Sequence, residues 1–268
     1  MKYMGSKNRL SKYIKPIIQK FLTIENIECY TEGFVGGANL IDKIDFKKKV
    51  GYDNTSYLIA LLKYVQQHED RKDYPEFITK EEYDLVKKNP NNYESYYYGL
   101  VGFLSSWNGR FFDGGYSGIR GKRNYYEEAL KNLLKQRPNL LDIHFEVFNF
   151  FNLNSDIDIN GNKIEKPKYL KNHVIYCDPP YANTKEYISN KKFNTPNFWD
   201  KVRELSKENI VIVSELTAPD DFISIWSLEK KFNLKDTNDV SNVRQKQAIE
   251  NLFILKDLYE KYKDLLVS

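Results

Sequence analysis

Cysteine and histidine are scarce in this chain: two cysteines and three histidines in 268 residues. Cys29 and Cys177 both fall in segments that read as strands. They are expected as small buried apolar residues in a reducing compartment, not as a disulfide or zinc framework. His68, His144 and His173 lack the spacing of a metal site, so no metal is expected. A calcium loop is imitated at Asp156, Asp158, Asn160 and Gly161, but the position that needs a bidentate glutamate is Pro167. No apolar run approaches the roughly 20 residues that span a bilayer. The first residues lead into an amphipathic segment instead of the unbroken apolar core of a secretory signal. Membrane insertion and secretion are thereby disfavoured, and the cytoplasm is the expected location.

What is present in excess is aromatic: 21 tyrosines and 16 phenylalanines. Most are expected in the core, although flat faces also suit stacking on bases. The net charge of +4 permits a polyanionic partner without proving one. Apolar spacing predicts a helix over residues 6–22, a strand over 27–34, a short helix over 40–44, a strand over 49–52 and a helix over 55–67. Strand, glycine turn, helix, then a strand ending in an acid is a βαβ pattern. Further strands are expected over 144–150, 173–177 and 210–213, a helix over 198–206, and an antiparallel pair over 227–236 and 250–255. There is no internal repeat and no low-complexity tract. The fold class is α/β, one sheet interrupted by an insertion of helices and a turn-rich hairpin.

Two segments carry candidate chemistry. The turn from Gly33 through Phe34 to Gly36 and Gly37 lets backbone approach a ligand at a strand end. The lysine and serine pair of a P-loop does not follow it, which disfavours nucleoside triphosphates. Asp53, ending the next strand, can accept bonds from ribose hydroxyls or cap the following helix. The second segment is Asp178-Pro179-Pro180-Tyr181 at the end of a buried strand, where ligands of open α/β sheets bind. Two prolines fix two φ angles and leave carbonyls free as acceptors. An exocyclic amine is a poor nucleophile because its lone pair is delocalised. Accepting its two protons on the Asp178 carboxylate and the Pro179 carbonyl would favour a tetrahedral nitrogen able to attack a sulfonium methyl, while Tyr181 stacks on the base. Cys177 is not needed for that chemistry and points to the other face from Asp178.

Four segments in order, KYMGSKNRL, TEGFVGGANL, DPPYANTKEY and SELTAPDDF, give the chain its resemblance to the Dam-like, D12 class (alpha-group) DNA N6-adenine methyltransferases, phage-type members included. The resemblance spans nearly the whole chain. It implies a Rossmann-like seven-stranded methyltransferase sheet formed by residues 1–68 and 139–268, with an inserted, mostly helical target-recognition region at 69–138. It implies transfer of a methyl group from S-adenosylmethionine, leaving S-adenosylhomocysteine, to an adenine flipped out of double-stranded DNA. By the same resemblance the cofactor site comprises Tyr3, Lys7, Glu32, Gly33, Phe34, Gly36, Gly37, Asp53, Asn149, Phe150 and Asp178. Lys7 would face the cofactor's carboxylate and Tyr3 its adenine. Asn149 departs from the family, which usually carries aspartate before the aromatic.

The insertion is the expected DNA reader. Arg110, Arg120, Lys122, Arg123, Lys131, Lys135 and Arg137 outnumber Asp113, Glu127 and Glu128, with tyrosines interleaved. Trp107, Asn108 and Arg110 resemble the family's turn beside the flipped base, and Lys2 is a further DNA contact. Competing readings are an amino methyltransferase acting on cytosine N4 or protein glutamine, and a relative that binds DNA without turnover. A monomer is expected, and a cognate restriction endonuclease is a partner the resemblance allows.

Overall fold

The structure is a computed structural model describing residues 1–158, 160–180, 193–235 and 243–267, with backbone alone for 230–235, 243–248 and 267. In chain order the strands are β1 (Cys29–Glu32), β2 (Lys49–Asp53), β3 (Ile119–Arg120), β4 (Arg123–Asn124), β5 (Ile143–Val147), β6 (His173–Cys177), β7 (Ile210–Glu215), β8 (Phe222–Lys235) and β9 (Val243–Leu255). The α-helices are α1 (Ser11–Leu22), α2 (Ser56–Gln67), α3 (Lys80–Lys88), α4 (Ser95–Leu104), α5 (Tyr125–Gln136), α6 (Thr195–Leu205) and α7 (Lys256–Val267). Seven strands form one sheet in the order β5-β2-β1-β6-β7-β9-β8, and β3 pairs with β4 as a small hairpin. The strands β5, β2, β1, β6 and β7 are mutually parallel, while β9 is antiparallel to both β7 and β8. The chain thus has the Rossmann-like seven-stranded sheet expected of it, with the strand order reversing between β1 and β6.

Alternation within strands separates two apolar layers. Tyr30, Val174, Tyr176, Ile210, Ile212, Leu252 and Ile254 face one side with α1 and α2. Cys29, Ile175, Cys177, Val211, Val213 and Phe253 face the other with α6. Both faces of β6 and β7 are covered, which is why their sequences read as apolar runs, whereas the edge strand β5 alternates, burying Ile143 and Phe145 and exposing His144. The helices between 69 and 138 join the first layer: Tyr83, Val86, Phe103, Leu104, Tyr126 and Leu130 belong to the same buried cluster as Ile14, Leu62 and Val174.

Some elements differ from their sequence pattern. The first α-helix begins at Ser11, because residues 7–9 wind as a tighter turn capped by Ser6. The helix expected at 40–44 is a single 3-10 turn, Ile41–Lys43. β5 stops at Val147; the Asn149 side chain accepts from the Phe151 amide at 3.1 Å and starts a turn in place of more strand. The final antiparallel pair is much longer than expected. α7 was not anticipated at all; it packs on α1 through Tyr262 and Phe21 and through a bond from Lys20 Nζ to the Leu266 carbonyl, 3.0 Å. Arg137, grouped with the basic patch, is instead structural: its guanidinium donates to the Val65 and Gln66 carbonyls and pairs with Glu69.

Where α4 crosses α2, Gly99 carries no Cβ because one would lie 2.3 Å from the Tyr57 carbonyl oxygen. A backbone oxygen cannot step aside. Gly99→Ala should therefore destabilise the protein by about 1–3 kcal/mol through overpacking, despite alanine's better helix propensity. Equilibrium urea unfolding measures this; an unchanged or raised midpoint would refute the close crossing.

Candidate active site

The carboxyl ends of parallel strands converge where the strand order reverses, a position at which open α/β sheets bind ligands. Here β1 and β6 pair with Glu32 opposite Tyr176, and the Gly33 amide donates to the Tyr176 carbonyl at 3.0 Å. The glycine turn and Asp178 therefore leave neighbouring strands side by side. Gly33 is required by packing: a Cβ would lie 2.7 Å from the buried Phe150 ring. Gly36 has φ +48°, and both it and Gly37 sit under Tyr3, where a Cβ would lie 2.9 Å from the ring at Gly36 and 2.8 Å from the Tyr3 Cβ at Gly37. Asp53 ties the turn to β2, accepting from the Gly36 amide at 3.1 Å and the Thr55 amide at 3.0 Å. Burial raises its carboxyl pKa, opposed by those bonds. Asp53 thus ties the glycine turn to Thr55, the residue that precedes α2, and provides no cap to the helix itself.

Glu32 is buried, and the Tyr30 hydroxyl donates to its carboxyl at 2.8 Å. Burial pushes this acid well above the usual carboxylate range. Phe34 packs on Phe150 at 5.0 Å between ring centres, and Phe150 is itself 2 % exposed. Phe150 is thus a floor beneath the turn, while the Asn149 side chain is engaged in its own loop. Tyr3 bridges two regions, lying over the glycine turn and 5.5 Å from Phe103 of α4.

Asp178 sits against a group of ionisable side chains. Lys7, 7 % exposed, donates from Nζ to Asp178 Oδ1 at 2.6 Å and pairs with Glu250 of β9 at 3.2 Å. The Ser214 hydroxyl donates to the same Glu250 carboxylate at 2.7 Å. An ammonium removed from water needs such partners, and here two carboxylates, one just past the end of β6 and one on β9, provide them. Pro179 is buried and Pro180 exposed; Tyr181 lies outside the described residues. The Cys177 thiol is pushed far up by burial and by Asp178, so it stays protonated and unsuited to nucleophilic attack. Ser214 and Glu215 open the SELTAPDDF segment with no role assigned from sequence, and Glu250 has no sequence signal of its own. An acid closing the apolar β7 was the available clue for Glu215, whereas Glu250 sits on a strand whose partner is known only from the fold.

The DNA-facing candidates gather at one edge. Lys2 and Arg123 lie over the Tyr125 ring at 5.6 and 4.8 Å, and Arg120 lies over Trp107 at 4.8 Å. Trp107 and Tyr125 are themselves 5.3 Å apart. Arg120, Lys122 and Arg123 are exposed on the hairpin, although Arg123 pairs with Glu128 and Arg110 with Asp113. Asn108 adopts φ 56°, and Gly109 follows at φ 66° with room for a Cβ denied by the Lys2 carbonyl at 2.5 Å. The N-terminal segment is thereby clamped between this turn and the glycine turn. Among the described residues no group of three or more His, Cys, Asp or Glu is placed to hold a metal, and no helix is long and apolar enough to cross a membrane.

Glu215 generates a pH prediction. Burial, with Asp178 and Glu250 nearby and Lys7 opposing, raises its pKa from 4.5 to about 7. Between those values the folded state holds a proton that the unfolded state has released, so stability falls as pH rises through this window. Glu215→Gln should flatten the decline in thermal midpoint between about pH 4.5 and 7. A decline as steep as wild type would show that Glu215 does not contribute.

Comparison with known proteins bears on this arrangement. The solved structures matched include a candidate RNA methyltransferase from Pyrococcus horikoshii, at 11% identity and TM-score 0.36, covering 94% of this chain and 86% of that one. So loose a likeness carries no argument. Comparison with curated proteins by sequence gives no match. A family model, D12 class N6 adenine-specific DNA methyltransferase, matches residues 3–215, which include the glycine turn, the insertion, Asp178 and Glu215. The chain belongs to the D12 class of N6 adenine-specific DNA methyltransferases.

Proposed function

We propose that this protein transfers a methyl group from S-adenosylmethionine to the exocyclic amine of an adenine extruded from double-stranded DNA. The observation that carries the reading is the side-by-side exit of the glycine turn and Asp178 from paired parallel strands, with family membership supplying the substrate class.

The residues around the turn suit the cofactor. Asp53 presents a buried carboxylate at the end of β2, where ribose hydroxyls can donate to it. The buried amide nitrogen of Asn39, packed against the Cβ position of Gly37, has no hydrogen-bond acceptor among the described residues and could donate to a carboxylate. Tyr3, Glu32, Gly33, Phe34, Gly36, Gly37, Asn149 and Phe150 complete the proposed wall. When bound, S-adenosylmethionine supplies an electrophilic methyl group on a sulfonium. Lys7 would give up part of its pairing with Asp178 or Glu250 to face the cofactor's carboxylate.

On the acceptor side, the Asp178 carboxylate and Pro179 carbonyl take the two amine protons in hydrogen bonds and hold the nitrogen lone pair towards the donor. Pro180 stiffens the corner, and Tyr181 is assigned to stack on the base. Orientation and preorganised acceptors account for the acceleration, with no strong acid or base required. Residues 69–138 are assigned to DNA recognition. Lys2, Arg110, Arg120, Lys122 and Arg123 hold phosphates, and Trp107 and Asn108 lie nearest the vacated stack. Extrusion costs a few kcal/mol, which such contacts offset.

Asp178→Ala should lower methyl transfer to DNA by roughly 10²–10³-fold or more. Cofactor affinity should stay near wild type, because Lys7 keeps Glu250 as a partner. Radiolabel transfer and calorimetry measure the two effects, and mass spectrometry of nucleosides identifies the product. Wild-type activity in the variant would defeat the mechanism. Methylated cytosine in place of N6-methyladenine would defeat the substrate assignment.

A further inference from the structure

The two last strands of the sheet do not end where their neighbours do. β7 pairs with β9 through Val213 opposite Phe253, Ser214 opposite Leu252 and Glu215 opposite Asn251. β7 finishes at Glu215, at the same end of the sheet as Asp178, since β6 and β7 run parallel with Cys177 opposite Val213. β9 is antiparallel, so residues 243–250 extend past that end, and β8 accompanies them up to Lys235 opposite Val243. At about 3.4 Å per residue, this two-stranded ribbon projects roughly 25 Å beyond the carboxyl ends of the strands that carry the site.

Register assigns its residues to faces. Leu252 and Ile254 belong to the layer shared with α1, α2 and the insertion, whereas Phe253 belongs to the opposite layer. Even-numbered positions of β9 therefore lie on the insertion's side. Glu250 follows that rule and reaches Lys7. Directly opposed residues of an antiparallel pair share a face. Continuing outward from Glu250 opposite Leu228, the same face carries Ala248 opposite Lys230, Lys246 opposite Phe232, and Arg244 opposite Leu234. Three cations and an aromatic stand on it, and beyond Glu250 no acid does among the described residues. The other face carries Lys231 and Lys235 but also Glu229, with the half-exposed Ile249 opposite Glu229. The loop between the strands, 236–242, lies outside the described residues and takes no part here.

We propose that this ribbon is a second DNA-contacting arm, using Lys230, Arg244 and Lys246 on the phosphates of the same duplex whose adenine enters the site. The inference rests on the DNA-methylating reading and extends it. The insertion and this face stand on the same side of the sheet, and the ribbon rises from the site's edge, so a duplex presented to Asp178 would be flanked by both. A two-stranded ribbon is also narrow enough to follow a groove of B-form DNA. The whole ribbon lies beyond residue 215, where the family match ends. It would add affinity and register, with sequence discrimination left to other contacts.

The test compares K230Q/R244Q/K246Q with K231Q/K235Q on the opposite face, both in the full chain, using a duplex of random sequence and one containing a methylatable site. The first variant should bind DNA about tenfold or more weakly near physiological salt. Its slope of log affinity against log salt should be shallower by roughly 2–3, because each lost phosphate contact removes about 0.9. Cofactor affinity, thermal midpoint and turnover at saturating DNA should match wild type, and the opposite-face variant should lose far less affinity. An unchanged salt slope in K230Q/R244Q/K246Q, or equal losses from both faces, would overturn the arm while leaving wild-type methylation intact. A wild-type protein that neither binds DNA nor methylates adenine would overturn the functional reading, and the arm with it.

Discussion

The parallel pairing of β1 with β6 is the constraint on which the rest of the molecule depends. Hydrogen bonding at a fixed register sets Glu32 opposite Tyr176, so the chain that turns away after β1 and the chain that turns away after β6 emerge together. The strand order reverses between them. A shift of one residue in that register would put Glu32 and Asp178 on opposite sides of the sheet, because side chains alternate with a period of two. Position and sidedness of the site follow from one ladder.

The same alternation explains the company Asp178 keeps. Tyr30, Glu32, Tyr176, Asp178, Ser214 and Glu250 occupy positions of one parity on their strands, and the Lys7 ammonium enters from that side. Several acids crowded at the ends of buried strands would repel one another. One lysine shared by two of them lowers that cost, and Tyr30 and Ser214 satisfy further oxygens. Cys177 and Glu215 have the other parity and belong to the layer of α6 and Trp199. Glu215 there lines a cavity of about 530 Å³ with Thr195, Trp199 and Arg203.

The N-terminal segment connects the sheet to the insertion. Its backbone presses on Gly109 and its Tyr3 ring covers Gly36 and Gly37, so the turn that carries Trp107 and the turn that follows β1 are held through the same few residues. Substitutions in either glycine turn would disturb the other through Tyr3. The shared core of the insertion with α1 and α2 gives a similar result on a larger scale, since the helices of 69–138 cannot move as a free body without opening that cluster.

Much of the architecture was legible from residue pattern. The strands His173–Cys177 and Ile210–Glu215 announce themselves as apolar runs because both of their faces are buried. The glycines of the first turn and the two prolines after Asp178 are visible because backbone geometry restricts which residues can stand there. What pattern could not convey was anything that depends on strands far apart in sequence becoming neighbours. The meeting of Lys7 with Asp178 and Glu250 spans nearly the whole chain, and no local periodicity encodes it. Arg137 looked like a surface cation until the α2 carbonyls were placed beside it. α7 carries an apolar stripe, Leu258, Tyr259, Tyr262, Leu265 and Leu266, whose packing partner is only evident once α1 stands beside it, whereas the outer part of the β8–β9 ribbon is polar and lysine-rich and is stabilised by pairing, not by intrinsic pattern. Local sequence thus determined which segments are strands and where backbone must bend, since those depend on near neighbours. Tertiary structure alone decided which charges share a corner, because that depends on strand order and register.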